Sequence, residues 1–98
     1  MNLITSDITM LQSQVTARVR DYVTENFLYM RPDFTIGEND SLLGKGIIDS
    51  MGVIEVITFV QDEFGITIAD DDITEENLGT LAAIARYVVN QRQKSLVA

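Results

Sequence analysis

The sequence predicts an all-α fold, a small antiparallel bundle of three main helices plus one short helix. Three observations carry that prediction. The 98 residues are 46% hydrophobic with one Pro and six Gly, the composition of a packed globule. Two long segments repeat apolar residues at spacings of three and four. Good capping residues and helix breakers stand at the ends of those segments.

The first segment sets Ile8, Leu11, Val15, Val19, Tyr22, Val23 and Phe27 on one face, with Gln12, Gln14, Arg18, Asp21 and Glu25 elsewhere. Ser6 and Asp7 are suited to cap its start, and Pro32 biases Arg31 out of the helical region, so the helix is expected over about 7–29. From Pro32 to Asp49 runs a long connection rich in turn formers (Asp33, Gly37, Asn39, Asp40, Gly44, Gly46). Its apolar Phe34, Ile36, Leu42, Leu43, Ile47 and Ile48 should tack it onto the core.

The second helix is expected to open at Asp49-Ser50 and close before Gly65, a residue suited to the position after a helix C-terminus. Its β-branched density from Val53 to Val60 would suit a strand. Fifteen residues with a cap, a glycine stop and polar Glu55, Gln61, Asp62 and Glu63 favour a helix. Ile66 to Ile68 reads as a short extended link and Asp70 to Glu76 as a single helical turn. Thr80 caps a last helix whose Leu81, Ile84, Tyr87 and Val88 face inward. The chain is thus read as a single domain, 1–98, with about 1–6 and 91–98 expected to fray.

Composition narrows function. The chain has no Cys and no His, which removes disulfides, thiolate or imidazole metal sites, and the histidine of a nucleophilic triad. A chain this size buries roughly 60–70% of its unfolded surface, too little to enclose a deep catalytic pocket with its supporting shell, so function should lie on the surface. No apolar run approaches a membrane span, and the opening MNLITSDITM lacks the basic region of a secretory signal; a cytoplasmic protein without membrane insertion is expected.

Seven Lys and Arg stand against fifteen Asp and Glu, a net charge of −8, which disfavours nucleic acid as a partner. Between Gly46 and Ala85 there are nine acids and no base. Such a one-signed region either keeps the protein soluble or steers it toward basic partners. The second helix also has more apolar residues than one buried stripe needs. Several of Met51, Val53, Val56 and Phe59 should therefore stay partly exposed beside acids, unless the helix is buried on two sides.

Ser50 stands at the mouth of that helix. Serine there is an excellent cap, and it is equally an exposed place to mount a phosphate, because free N–H groups and the dipole favour an anion. With no base in the chain to activate it, any covalent chemistry at Ser50 must come from another enzyme.

Gly46-Ile47-Ile48-Asp49-Ser50-Met51, then Gly52-Val53-Ile54-Glu55-Val56-Ile57, Asp62-Glu63-Phe64-Gly65-Ile66, Ala69-Asp70-Asp71-Asp72 and Thr80 to Val88 resemble the acyl carrier proteins, including the peptidyl, aminoacyl and D-alanyl carriers. The resemblance covers Val15 to Val89. It implies that Ser50 receives 4′-phosphopantetheine from coenzyme A through a separate phosphopantetheinyl transferase, with Mg²⁺ at that enzyme's site and Asp49 helping it read the position. It also implies that Met51, Glu55, Val56, Asp62 and Glu63, with Val53 beside them, lie on the helix that docks partner enzymes. The chain would then be no enzyme itself but a monomeric carrier of a thioester.

The departures from the family pattern concern subtype. Fatty-acid carriers typically place Gly-Ala or Gly-Leu before Asp-Ser-Leu and an acid after it; here Ile47-Ile48 precede, Met51 replaces Leu and Gly52 replaces the acid, while Gln61 stands where many have Glu. Asp-Ser-Met-Gly resembles the D-alanyl carriers, and the Gly-Ile-Ile-Asp-Ser run resembles stand-alone carriers of specialised pathways. The implied partners are an adenylating acyl or aminoacyl ligase and a downstream synthase, acyltransferase or condensing enzyme. The competing reading is an unmodified acidic adaptor or inhibitor of a basic protein, in which Ser50→Ala would leave function intact. A calcium site is the weakest, since no window orders the acids of 70–76 as an EF-hand loop does.

Overall fold

The computed structural model describes residues 11–97, which form four α-helices and a 3₁₀ turn, with no strand among them. Helix α1 is Gln12–Phe27, α2 Ser50–Phe64, α3 the single turn Glu75–Leu78, and α4 Leu81–Val97; the 3₁₀ turn is Asp70–Asp72. The all-α bundle of three long helices and a short one is the fold the sequence predicts.

The expected capping by Ser6 and Asp7, and the place of Ile8, lie outside the described residues. Within them the Leu11 N–H donates to Gln14 Oε1 at 3.0 Å. Val15, Val19 and Val23 are fully buried, whereas Leu11, assigned to the same face by spacing, is exposed. The helix stops at Phe27, two residues before the expected limit. Leu28 leaves helical geometry and is buried, and its carbonyl accepts from Arg31 at 2.8 Å. Burial of Leu28 thus turns the chain before Pro32 can.

The connection from Leu28 to Asp49 is fastened to the core by Ile36, Leu42, Ile47 and Ile48, with Phe34 half-buried and Leu43 left exposed. Its backbone is tied at both sides. Leu42 N–H donates to Gly79 O at 2.9 Å, Ala82 N–H to Glu38 O at 3.0 Å, and the Arg20 guanidinium to Ile36 O at 3.1 Å. Asp40 accepts the Gly37 N–H at 2.8 Å and pairs with Lys45 at 3.4 Å, and these bonds hold its carboxyl below the usual carboxylate range.

Helix α2 buries Gly52, Val56, Val60 and Phe64, residues four apart on one stripe. It ends at Gly65, whose φ of 66° is the left-handed conformation that closes a helix without a Cβ clash. Gln61 accepts the Ile68 N–H at 2.8 Å and so anchors the extended link to α2. A neutral acceptor serves that half-buried place without desolvating a carboxylate.

Helix α4 begins at the Thr80 cap, whose hydroxyl accepts from Ala83 N–H at 3.0 Å, and packs Leu81, Ile84, Ala85 and Val88 inward. It packs chiefly on α1. The helix continues to Val97, Gln91 donates to Thr67 O at 3.3 Å, and Arg92 donates to Phe64 O at 2.6 Å. These two side chains tie α4 to the segment around the end of α2, an anchor that hydropathy does not register.

Candidate functional site

Asp49, not Ser50, is the N-cap of α2. Its extended backbone (φ −106°, ψ −174°) aims the carboxylate back at the first turn, where Oδ1 accepts the Gly52 N–H at 2.8 Å. Ser50 is consequently the first helical residue. It is exposed, and among the described residues its hydroxyl meets no hydrogen-bond partner. Of the two uses the sequence allows for Ser50, capping is therefore taken over by its neighbour.

Gly52 explains how closely this end of the helix is held. It is buried, and a Cβ there would lie 2.9 Å from a Phe27 ring carbon and 3.1 Å from Ile48 Cβ. The glycine lets α2 rest on the last residue of α1. Arg18 and Glu63, Tyr22 and Phe59, and Phe27 and Gly52 meet in descending order, so α1 runs antiparallel to α2 and ends at the level of Ser50.

The outer face of α2 departs in part from expectation. Met51 is 69% exposed, and Glu55, Asp62 and Glu63 also face solvent. Val53 and Phe59 are half-buried. Val56 is a correction: only 5% exposed, it belongs to the core, because it falls on the Gly52-Val60-Phe64 stripe and offers no docking surface. The apolar residue that sequence reasoning missed is Ile54, 62% exposed one turn below Ser50. Its signal was its position, three after Met51 and one before Glu55, on the polar side of the helix.

Electrostatically the face is acidic with one internal cation. The Arg18 guanidinium donates to Glu63 Oε2 from Nη2 at 2.7 Å and from Nε at 3.0 Å, and this contact strengthens the hold on the Arg18 proton. Burial, with Glu55 nearby, pushes the Tyr22 hydroxyl above the usual tyrosine range. Two of the acids of 70–76 are engaged separately: Asp72 accepts from Tyr87 at 2.7 Å and Glu75 from Ser41 at 2.8 Å. Among the described residues no three potential ligands converge on a metal position.

The exposed Ser50 hydroxyl thus stands on the first turn of an acidic helix anchored to α1. A family model for the phosphopantetheine attachment site matches residues 17–88. Over 76 residues the chain is 33% identical to an acyl carrier protein of Zymomonas mobilis subsp. mobilis, a match spanning 78% of this chain and 92% of that protein. The chain belongs to the acyl carrier protein family.

Acyl carrier proteins bear a covalently bound 4′-phosphopantetheine, work with phosphopantetheinyl transferases and synthase enzymes, and are generally not catalysts themselves. The geometry fits such a group. The Ser50 and Met51 N–H groups find no backbone acceptor among the described residues, and they open the α2 dipole toward an anion at the Ser50 oxygen. The Asp49 carboxylate, which would repel that anion, is drawn onto Gly52 N–H. No helix of the described residues is long and apolar enough to cross a membrane.

Proposed function

We propose that this carrier holds its 4′-phosphopantetheine on Ser50 and serves a specialised pathway as a discrete carrier. The observation that carries the assignment is the division of labour at the helix start: Asp49 caps α2, and Ser50 keeps an exposed, unpaired hydroxyl. When bound, the arm supplies a terminal thiol on which an acyl or aminoacyl group travels as a thioester. The chain's part is to hold that oxygen at a positive helix end, to keep water-exposed space around it, and to present Met51, Val53, Ile54, Glu55, Asp62 and Glu63 to successive enzymes. The chain has no histidine near Ser50 to act as a base, so the proton of its hydroxyl is removed by the transferase.

Pathway type is inferred from residues that depart from the fatty-acid pattern. Gly52 is required by Phe27, and Gln61 by Ile68, so the negative charge absent at both places follows from this chain's packing. A less acidic α2 suits an adenylating acyl or aminoacyl ligase and a downstream synthase, acyltransferase or condensing enzyme of a secondary-metabolite or D-alanylation-like route. The place of action is the cytoplasm, where coenzyme A and the transferase are found. The test is intact mass before and after incubation with coenzyme A, Mg²⁺ and a broad-specificity phosphopantetheinyl transferase, with Ser50→Ala in parallel. One added phosphopantetheine in the parent and none in the variant is expected. A folded parent that gains no mass and carries none on purification would return the chain to the acidic adaptor reading.

A further inference from the structure

Building on the carrier reading, the geometry points to Glu75 as the residue that sets the class of cargo. Its carboxylate receives the free α-ammonium of an aminoacyl group, whose compact apolar side chain lies in the groove between the loop around Leu43, α2 and α3. The carrier is thereby matched to aminoacyl rather than fatty acyl groups.

Volume separates the two places a cargo could take. Beneath α3, residues that include Ile57, Ile68 and Ile84 enclose a cavity of about 20 Å³, room for one water-sized group and not for a chain. Outside it, Leu43, Ile73 and Leu78 help line a groove of about 230 Å³, below the roughly 300–1,000 Å³ of sites for drug-sized ligands. Such a groove takes one compact group. Ile48 and Val53, which bracket Ser50 in the chain, line both spaces, so the groove lies beside the first turn of α2.

Glu75 is the one ionisable side chain lining the groove, and its place is prepared. The Ser41 hydroxyl donates to Glu75 Oε2 at 2.8 Å while its oxygen accepts the Gly44 N–H at 2.9 Å, so the serine is held from both sides. A Cβ on Gly44 would come within 2.8 Å of Ser41 Oγ, and one on Gly79 would overlap the carboxyl group and the backbone oxygen of Glu75. Neither glycine is called for by its φ, which is −82° at Gly79 and not positive at Gly44; both are called for by space.

Charge and tether select the occupant. Glu75 has no ion-pair partner among the described residues, and its Oε1 accepts from none of them. A fatty acyl chain laid over that carboxylate would desolvate it and offer nothing in return. An aminoacyl group brings an ammonium for the carboxylate and a side chain for the apolar walls. A single exposed ion pair is weak. The cargo is tethered at Ser50, however, and meets the groove at an effective concentration on the order of millimolar, where a weak contact is populated.

The test loads Ser50, through a broad-specificity transferase with Mg²⁺, from two coenzyme A analogues that carry leucyl or 4-methylpentanoyl groups on a stable amide in place of the thioester. The two cargoes differ only in the ammonium. Backbone amide shifts are read against the form bearing the bare arm. The leucyl form is expected to shift Ser41, Glu75 and Gly79 at least about twofold further than the 4-methylpentanoyl form. Glu75→Gln, which keeps an acceptor for Ser41, should abolish the difference, and Glu76→Gln, exposed on the same turn but outside the groove, should keep it. Raised salt, which needs no variant, should shrink the leucyl shifts and spare the others. Equal shifts with the two cargoes, a difference that survives Glu75→Gln or salt, or shifts at Glu75 already complete with the bare arm would overturn the assignment and leave the carrier reading in place. Failure of a folded, unmodified parent to take any analogue at Ser50 would remove the carrier reading, and this assignment with it.

Discussion

Asp49 Oδ1 accepts the Gly52 N–H at 2.8 Å, and this single bond leaves the hydroxyl of the intervening Ser50 outside the capping network. Two roles that compete for one serine in sequence are thereby divided between neighbours. The cap and the lost charge separate in mutants. Asp49→Ala should cost about 1 kcal/mol of stability, seen as a lower Tm, whereas Asp49→Asn keeps an acceptor and should stay within a few tenths of the parent. If the transferase reads the charge, both variants slow modification; if it needs only an ordered helix start, Asn restores the rate.

Gly52→Ala should be destabilising although alanine is the better helix former. The new methyl meets the Phe27 ring at 2.9 Å and Ile48 at 3.1 Å, an overpacking expected to cost about 1–3 kcal/mol by denaturant titration. Shortening the opposing ring with Phe27→Leu should recover part of that loss. Additive losses in the double variant would show that the contact is not the cause.

Ile54 and Val56 should respond oppositely. Val56→Ala opens a cavity in the core and should cost about 1–3 kcal/mol while leaving transfer kinetics of the folded fraction intact. Ile54→Ser, at an exposed position, should change stability by less than about 0.5 kcal/mol and raise KM toward partner enzymes. Thermal melts and transfer assays on the same preparations check both.

These residues also mark how far the sequence could be read. Helix periodicity found α1, α2 and α4 and the inward positions Val15, Val19, Val23, Ile84 and Val88, because burial of one stripe is a repeating property. Asp49-Ser50 at the start of α2 was legible as a motif. What periodicity could not resolve was the face of a helix that is apolar nearly all round. Val56 and Ile54 differ only by which neighbour they meet, and that is fixed by α1 and α4, far away in sequence. Periodicity is equally silent on the bonds by which Gln91 and Arg92 reach the Thr67 and Phe64 carbonyls, because they are made by polar side chains.

Alkaline pH should unfold the domain partly through its tyrosines. Burial and the bond to Asp72 push the Tyr87 hydroxyl above its ordinary value, and burial does the same to Tyr22. A group whose folded value is raised contributes fully below its unfolded value, about 10, and that contribution is lost as pH rises through the folded value. Tyr87→Phe should therefore lower stability by about 0.5–1.5 kcal/mol at neutral pH through the missing hydrogen bond, and flatten the decline above about pH 10. Chemical denaturation at intervals from pH 7 to 11 measures both; a decline as steep as the parent's would place the alkaline sensitivity elsewhere.

The central claim is that Ser50 bears the arm, and the most direct measurement is fragment-ion mass spectrometry of the modified protein after trypsin. The absence of Lys and Arg between Gly46 and Ala85 makes 46–86 one peptide with a single serine, accompanied by Thr58, Thr67, Thr74 and Thr80. The account predicts that phosphopantetheine lies on this peptide, with every fragment containing Ser50 carrying or ejecting the group and every fragment lacking it unmodified. The group on one of the threonines, or on the peptide that contains Ser41, would contradict it.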